Sequence, residues 1–137
     1  MTNERAWAER ALRGWLQFAG VVCASAMVAV VMPLPWHAII HDWLGLGELP
    51  DAPLVEYLAR GMSAMCSFYG LLLIWLARDV RRYAELIRFQ TLILMVISLC
   101  STLALWNSGM PPWWIYGDAG SVWTSGLITL WLLRCLR

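Results

Sequence analysis

Residues 61–106, GMSAMCSFYGLLLIWLARDVRRYAELIRFQTLILMVISLCSTLALW, decide the fold. Gly61 to Ala77 and Phe89 to Trp106 hold no formal charge, and between them Arg78 to Arg88 carries four Arg, Asp79 and Glu85. A bilayer core of about 30 Å is crossed by roughly 20 mostly apolar helical residues. Two such runs joined by so short a basic segment read as a transmembrane hairpin with a tight turn. Asp79 can cap the returning helix, and Val80, Tyr83, Ala84 and Ile87 recur at i, i+3, i+4, i+7.

Outward from the hairpin, the preceding helix starts near Leu54, with Glu56 and Arg60 in its first turns. Gly14 to His41 is free of Asp, Glu, Lys and Arg, and Pro33 and Pro35 stop a helix near Met32. Ala119 to Leu133 is a shorter uncharged stretch that needs neighbouring residues, snorkelling Arg134 and Arg137, or a thinned bilayer. The expected spans are about 14–32, 54–77, 86–106 and 119–135, with outer loops 33–53 and 107–118. The whole chain agrees: of 137 residues 61% are hydrophobic and 14% charged, against about 25% charged in soluble domains. So small a core cannot hide that much apolar surface from water. Disorder, a collagenous repeat and a disulfide-stapled module are excluded by the same composition. Ala24-Ser25-Ala26 has the form of a signal-peptide cleavage site, but Glu4, Glu9 and an apolar run continuing to Met32 argue against one. The fold class is all-α: one integral membrane domain, an antiparallel up-down four-helix bundle. A short interfacial helix is expected in the first outer loop, where PWHAIIHDWLGLG (35–47) is too apolar for a solvated linker.

Arginine sets the orientation. The chain has no Lys, and nine of its ten Arg lie at Arg5, Arg10 and Arg13, at Arg78, Arg81, Arg82 and Arg88, and at Arg134 and Arg137. Four spans place those groups on one side, which the positive-inside rule makes cytoplasmic, termini included. Nine Arg against Glu4, Glu9, Asp79 and Glu85 leave +5 there, while Arg60 against Asp42, Glu48, Asp51, Glu56 and Asp118 leaves −4 outside. Arg78, Arg81, Arg82 and Arg88, with a basic N-terminal segment whose Trp7, Ala11 and Trp15 are four apart, are expected to lie against anionic lipid head groups. Nucleic acid is a poor partner for so few arginines beside a membrane. Aromatic residues mark both interfaces, most heavily outside, where NSGMPPWWIYGDAG (107–120) is expected to lie on or dip into the outer leaflet.

Arg60 is the most informative residue, because a charge one turn inside a span is costly unless paired or wetted. Glu56 is its natural i−4 partner. One reading is a site for an anion or head group at the outer mouth, made by Arg60 and Glu56 with His41, Asn107 and Asp118. The other is a snorkelling Arg that simply holds Glu56. His37 and His41, four apart with Asp42 adjacent, could converge on Zn²⁺ or a similar ion with Glu48 or Asp51, although an interfacial helix carrying two polar residues explains them as well. Cys23, Cys66, Cys100 and Cys135 form no Cys-x-x-Cys and read as packing residues. Small residues four apart, Gly20/Ala24, Ser25/Ala29, Cys66/Gly70 and Ser121/Ser125, would let helices approach closely. No phosphate loop, catalytic triad order or zinc box occurs, and no cofactor is called for.

The stretch His41–Phe89, HDWLGLGELPDAPLVEYLARGMSAMCSFYGLLLIWLARDVRRYAELIRF, with the later GMPPWWIYGD, resembles a family of small uncharacterised bacterial inner-membrane proteins, and the overall plan resembles DoxX-like four-helix membrane proteins. The resemblance covers His41 to Asp118, about two thirds of the chain, and is one of plan and phrase. It implies a bacterial cytoplasmic membrane and a four-helix fold, and it supplies neither a substrate nor catalytic residues. The function expected is therefore that of a non-enzymatic accessory or assembly protein that docks a membrane-protein partner or itself as a homo-oligomer. A binding or transport site for a small anionic solute or lipid near Arg60 is the alternative. A quinone-linked redox accessory subunit, suggested by DoxX relatives, is the third reading, and the sequence offers it no haem, flavin or iron–sulfur ligand set.

Overall fold

A computed structural model describes residues 2–50, 52–106 and 108–136, with the side chains of residues 2–4 left aside. Its regular elements are all helices: α1 (Thr2–Ala24), α2 (Met27–Val31), α3 (Leu34–Trp43), α4 (Pro53–Leu76), α5 (Ala84–Leu105) and α6 (Pro112–Leu136). Four segments, Arg5–Val31, Pro53–Leu76, Ala84–Leu105 and Pro112–Leu136, are long and apolar enough to cross a membrane. The all-α reading holds, and the protein has the make-up of a multi-pass helical membrane protein.

The boundaries differ from expectation in two places. The first helix does not begin near Gly14: helical backbone starts at Thr2 and hitches at Ser25–Ala26. There Ala26 N–H bonds to Cys23 O at 3.2 Å and Val28 N–H to Ser25 O at 3.0 Å, while the Ser25 hydroxyl donates to Val22 O at 2.7 Å. A serine hydroxyl competing for backbone carbonyls in this way bends helices. The fourth helix starts at Pro112, seven residues before the expected Ala119, so most of the outer segment assigned to 107–118 is helix. Proline suits a first helical position, where its missing N–H costs nothing, and the two added turns remove the shortage of span length. The short helix expected in the first outer loop is α3. It closes with a Schellman motif: Leu46 N–H reaches His41 O at 3.1 Å, Gly45 N–H reaches Asp42 O at 2.8 Å, and Gly45 takes φ 69°.

The chain divides into two compact units, Met1–Leu16 with Leu76–Arg137, and Gln17–Trp75. In the first, α5 and α6 run antiparallel. Trp106 meets Tyr116 edge-on at 5.9 Å beside their connection, and Met95 and Thr91 meet Gly126 further along. Asp79 Oδ1 accepts the Arg82 N–H at 3.0 Å and so caps the turn, whose Val80 is buried with Ile87 as the periodicity anticipates. The N-terminal stripe that packs is Ala8, Leu12 and Leu16, and Trp7, of the stripe expected against lipid, is exposed. Trp15 still contributes, its indole donating to Thr129 Oγ1 at 3.1 Å.

In the second unit, the end of α1 crosses α4 at glycine. A methyl group on Gly20 would stand 2.8 Å from Gly70 O, and one on Gly70 would stand 2.9 Å from the Cys23 carbonyl carbon. Of the small-residue pairs, Gly20/Ala24 and Cys66/Gly70 therefore do face each other. Buried polar positions along the spans are small, Ser67, Thr91, Ser98 and Thr129, whereas Phe18, Met62, Phe68, Val96 and Leu103 point outward. Bulky apolar groups turned outward along the spans are the arrangement lipid favours.

Candidate functional site

The expected site centres on Arg60, and the structure shows what its guanidinium holds. The break between α2 and α3 comes first. Met32 turns extended, with ψ 138°, and Pro33 follows, so the chain leaves the helix before Leu34 N–H can bond to the Val30 carbonyl. Arg60 Nη1 donates to that carbonyl instead. On its other side the fork grips Glu56, with Nε donating to Oε1 at 2.9 Å and Nη2 at 2.8 Å from the same oxygen. The pair is half-buried. One α4 side chain thus neutralises a carboxylate within its own helix and satisfies a carbonyl that the proline break leaves open. The sequence signal for the second role was the pair Pro33 and Pro35, which frees carbonyls upstream.

Beside Glu56 lies an open cleft of about 230 Å³, lined by Leu34, Pro35 and Ala38 of α3, by Leu49, Pro50 and Ala52 of the following loop, and by Glu56. The wall is apolar and its ionisable group is an acid. Neither Arg60 nor His41 lines it. With the guanidinium donors turned to Glu56 and Val30, the geometry runs against capture of an anion at this mouth.

The remaining candidates are dispersed. His41 places Nδ1 2.8 Å from Gly47 O, in the loop that the Gly45 and Gly47 conformations fold back. Both ring nitrogens of His37 are shut away from solvent without a hydrogen-bond partner. Asp42 is exposed, and Asp51 lies outside the described residues. No three His, Cys, Asp or Glu side chains converge among the described residues, so the set expected from His37, His41 and Asp42 is not assembled; a helix brings i and i+4 together and sends i+5 to another face. Asp118 sits exposed on α6 in the first unit, and Asn107 lies outside the described residues.

The basic positions come together through ion pairs. Arg81 Nε reaches Glu9 Oε2 at 2.7 Å, and Arg13 Nη2 stands 3.5 Å from the other oxygen of Glu9. Arg88 pairs with Glu85 at 3.3 Å. Trp7 and Trp131 meet edge-on at 5.8 Å. The start of α1, the turn after α4 and the end of α6 thereby share one end of the first unit. Another pairing that spacing alone did not reveal joins Cys23 and Cys66, whose thiols meet at the α1–α4 crossing. No family model, curated protein or solved structure matches the chain.

Proposed function

We propose that the chain is a multi-pass protein of the bacterial cytoplasmic membrane, of the DoxX-like plan, with both termini cytoplasmic. It works without catalytic machinery of its own as an accessory or assembly protein, docking a membrane-protein partner or a second copy of itself. The observation that carries this reading is on α6. Gly117, Gly120, Ser121 and Thr124 follow the i, i+3, i+4, i+7 spacing and are all exposed, and no atom lies within 4 Å of where a methyl group on Gly117 or Gly120 would stand. Each glycine costs a helix interior about 1 kcal/mol relative to alanine, and a lipid tail gains nothing from the gap. An approaching helix backbone does. Gly20, Gly70 and Gly126, by contrast, already have such neighbours within the chain. The commitment of Arg60 to Glu56 and Val30 supports the same reading by turning that charge toward holding the fold.

The test is association in bilayers. Differently labelled copies are reconstituted together and energy transfer between them is measured, alongside co-purification of a membrane protein in mild detergent. Gly120→Leu with Ser121→Leu is expected to abolish whichever association the wild type shows, while Leu127→Ala on the same helix leaves it intact. Association undiminished in the Gly120/Ser121 variant would overturn the reading.

A further inference from the structure

We infer that the arginine-bearing end of the first unit binds an anionic phospholipid, its phosphate at Arg78 and Arg82 and an acyl chain along the exposed apolar face of α5. The inference rests on the chain being embedded in a bilayer, and it specifies which lipid chemistry that end selects. Two independent features meet there. The first is unpaired positive charge. Glu9 is shared by Arg13 and Arg81, Glu85 takes Arg88, and Asp79 caps the Arg82 backbone. Arg5, Arg78, Arg82 and Arg134 are exposed and have no carboxylate partner among the described residues. Glu9 and Glu85 are thus spent on three guanidinium groups and Asp79 on a backbone N–H, while the guanidinium groups without a carboxylate stand on the turn, at the start of α1 and at the end of α6. A guanidinium presents paired N–H donors that match two phosphate oxygens.

The second feature is an exposed apolar face. Phe89, Leu92, Ile93, Val96 and Ile97 form a shallow, open apolar face along α5. Traced back by the same spacing, that face continues through exposed Leu86, and Arg82 lies in the turn that leads into α5, two residues before its start. Phosphate-binding charge passes directly into apolar surface within a few residues, so the ligand must carry both in the same order. A nucleic acid or an acidic peptide offers the charge without the chain. A zwitterionic lipid offers the chain, but its ammonium or choline offsets the phosphate that the excess guanidinium groups attract. An anionic head group supplies both, and each arginine near such a surface favours it by roughly fivefold.

The experiment uses the full chain, purified and reconstituted into nanodiscs, where both leaflets are open to it whatever its orientation in the cell. The probes are phosphatidylglycerol and phosphatidylcholine with brominated acyl chains, which quench tryptophan fluorescence on contact, each at the same mole fraction in unlabelled phosphatidylcholine. Brominated phosphatidylglycerol is expected to quench more strongly, with a relative binding constant of roughly fivefold or more. R78Q/R82Q should bring that ratio close to one, and R78K/R82K should keep most of it. Circular dichroism on each variant checks that the helices persist. Equal quenching by the two lipids, or a preference that survives R78Q/R82Q, would overturn the inference while leaving the bilayer reading intact. Quenching by neither would remove the bilayer reading itself.

Discussion

Arg60 shows how a charge can sit in an apolar helix without being a ligand site. A buried carbonyl with no donor costs about 1–3 kcal/mol, and Val30 would carry that cost if Arg60 Nη1 did not reach it. Arg60→Ala should therefore destabilise the chain by about 1–3 kcal/mol, read as a lower unfolding midpoint and faster amide exchange at the α2–α3 break. Arg60→Lys should recover only part of this, since one ammonium cannot span Glu56 and Val30 as a fork does. An Arg60→Ala variant as stable as wild type would show that the clamp is ornamental. His37 makes the opposite case. Both of its nitrogens are buried without partners, so His37→Leu removes two unsatisfied atoms while keeping bulk. It is expected to leave stability unchanged or raise it by up to about 1 kcal/mol. A clear loss in detergent-solubilised protein would mean that the imidazole has a partner it needs.

Between helices, what matters is how closely backbones approach, and the glycines give a graded test of it. Gly61 has open space where a methyl group would go, so Gly61→Ala should gain about 0.5–1 kcal/mol from helix propensity. At Gly126 the methyl would meet Met95 Sδ at 2.7 Å, the far end of a side chain that can move, and Gly126→Ala should come out near neutral. At Gly70 the obstacle is the backbone of α1 itself, and Gly70→Ala should cost about 1–3 kcal/mol as an overpacked contact. Unfolding midpoints that fail to follow the order Gly61, Gly126, Gly70 would reject this account of the crossing. The same crossing brings Cys23 to Cys66. Mild oxidation of wild-type protein should therefore link these two cysteines within one chain, seen in a non-reducing peptide map, and Gly70→Ala should diminish the link. Spacing made half of this legible beforehand, because Gly20/Ala24 and Cys66/Gly70 stand out as small pairs in large-residue helices. It could not say that the two pairs face each other, nor that Ser121 is exposed while Ser125 is half-buried beside the packed Gly126 and Thr129 of α6. Small residues mark permission to approach, and which helix accepts it depends on the tertiary fit of neighbouring side chains. The early start of α6 was hidden for a related reason: hydropathy weighs Asp118 and the prolines against a span, whereas the backbone needs only a proline at the first position and a continuous hydrogen-bond ladder after it.

For the whole molecule the governing quantity is how charge is shared between the two ends. The sequence places +5 with the N-terminus, the 78–88 segment and the C-terminus, and −4 with the remaining loops. The three positive groups share one end because Glu9 meets Arg81 and Trp7 meets Trp131, both within the first unit. An even number of crossings is what such an arrangement requires: with three or five spans the C-terminal arginines would finish opposite the N-terminal ones. Arginine near a membrane is retained on the cytoplasmic face, so the acidic loops should face outward. In a background with the native cysteines replaced by serine, a membrane-impermeant maleimide applied to intact cells should label Glu48→Cys. Arg5→Cys, Glu85→Cys and Arg134→Cys should react only after the membrane is opened. These three positions stand or fall together, since each is tied to the others by the contacts around Glu9 and Trp131. Labelling of Glu85→Cys from outside while Arg134→Cys stays protected would contradict the shared end as well as the span count, and uniform labelling of all three from outside would reverse the orientation while leaving the fold as described.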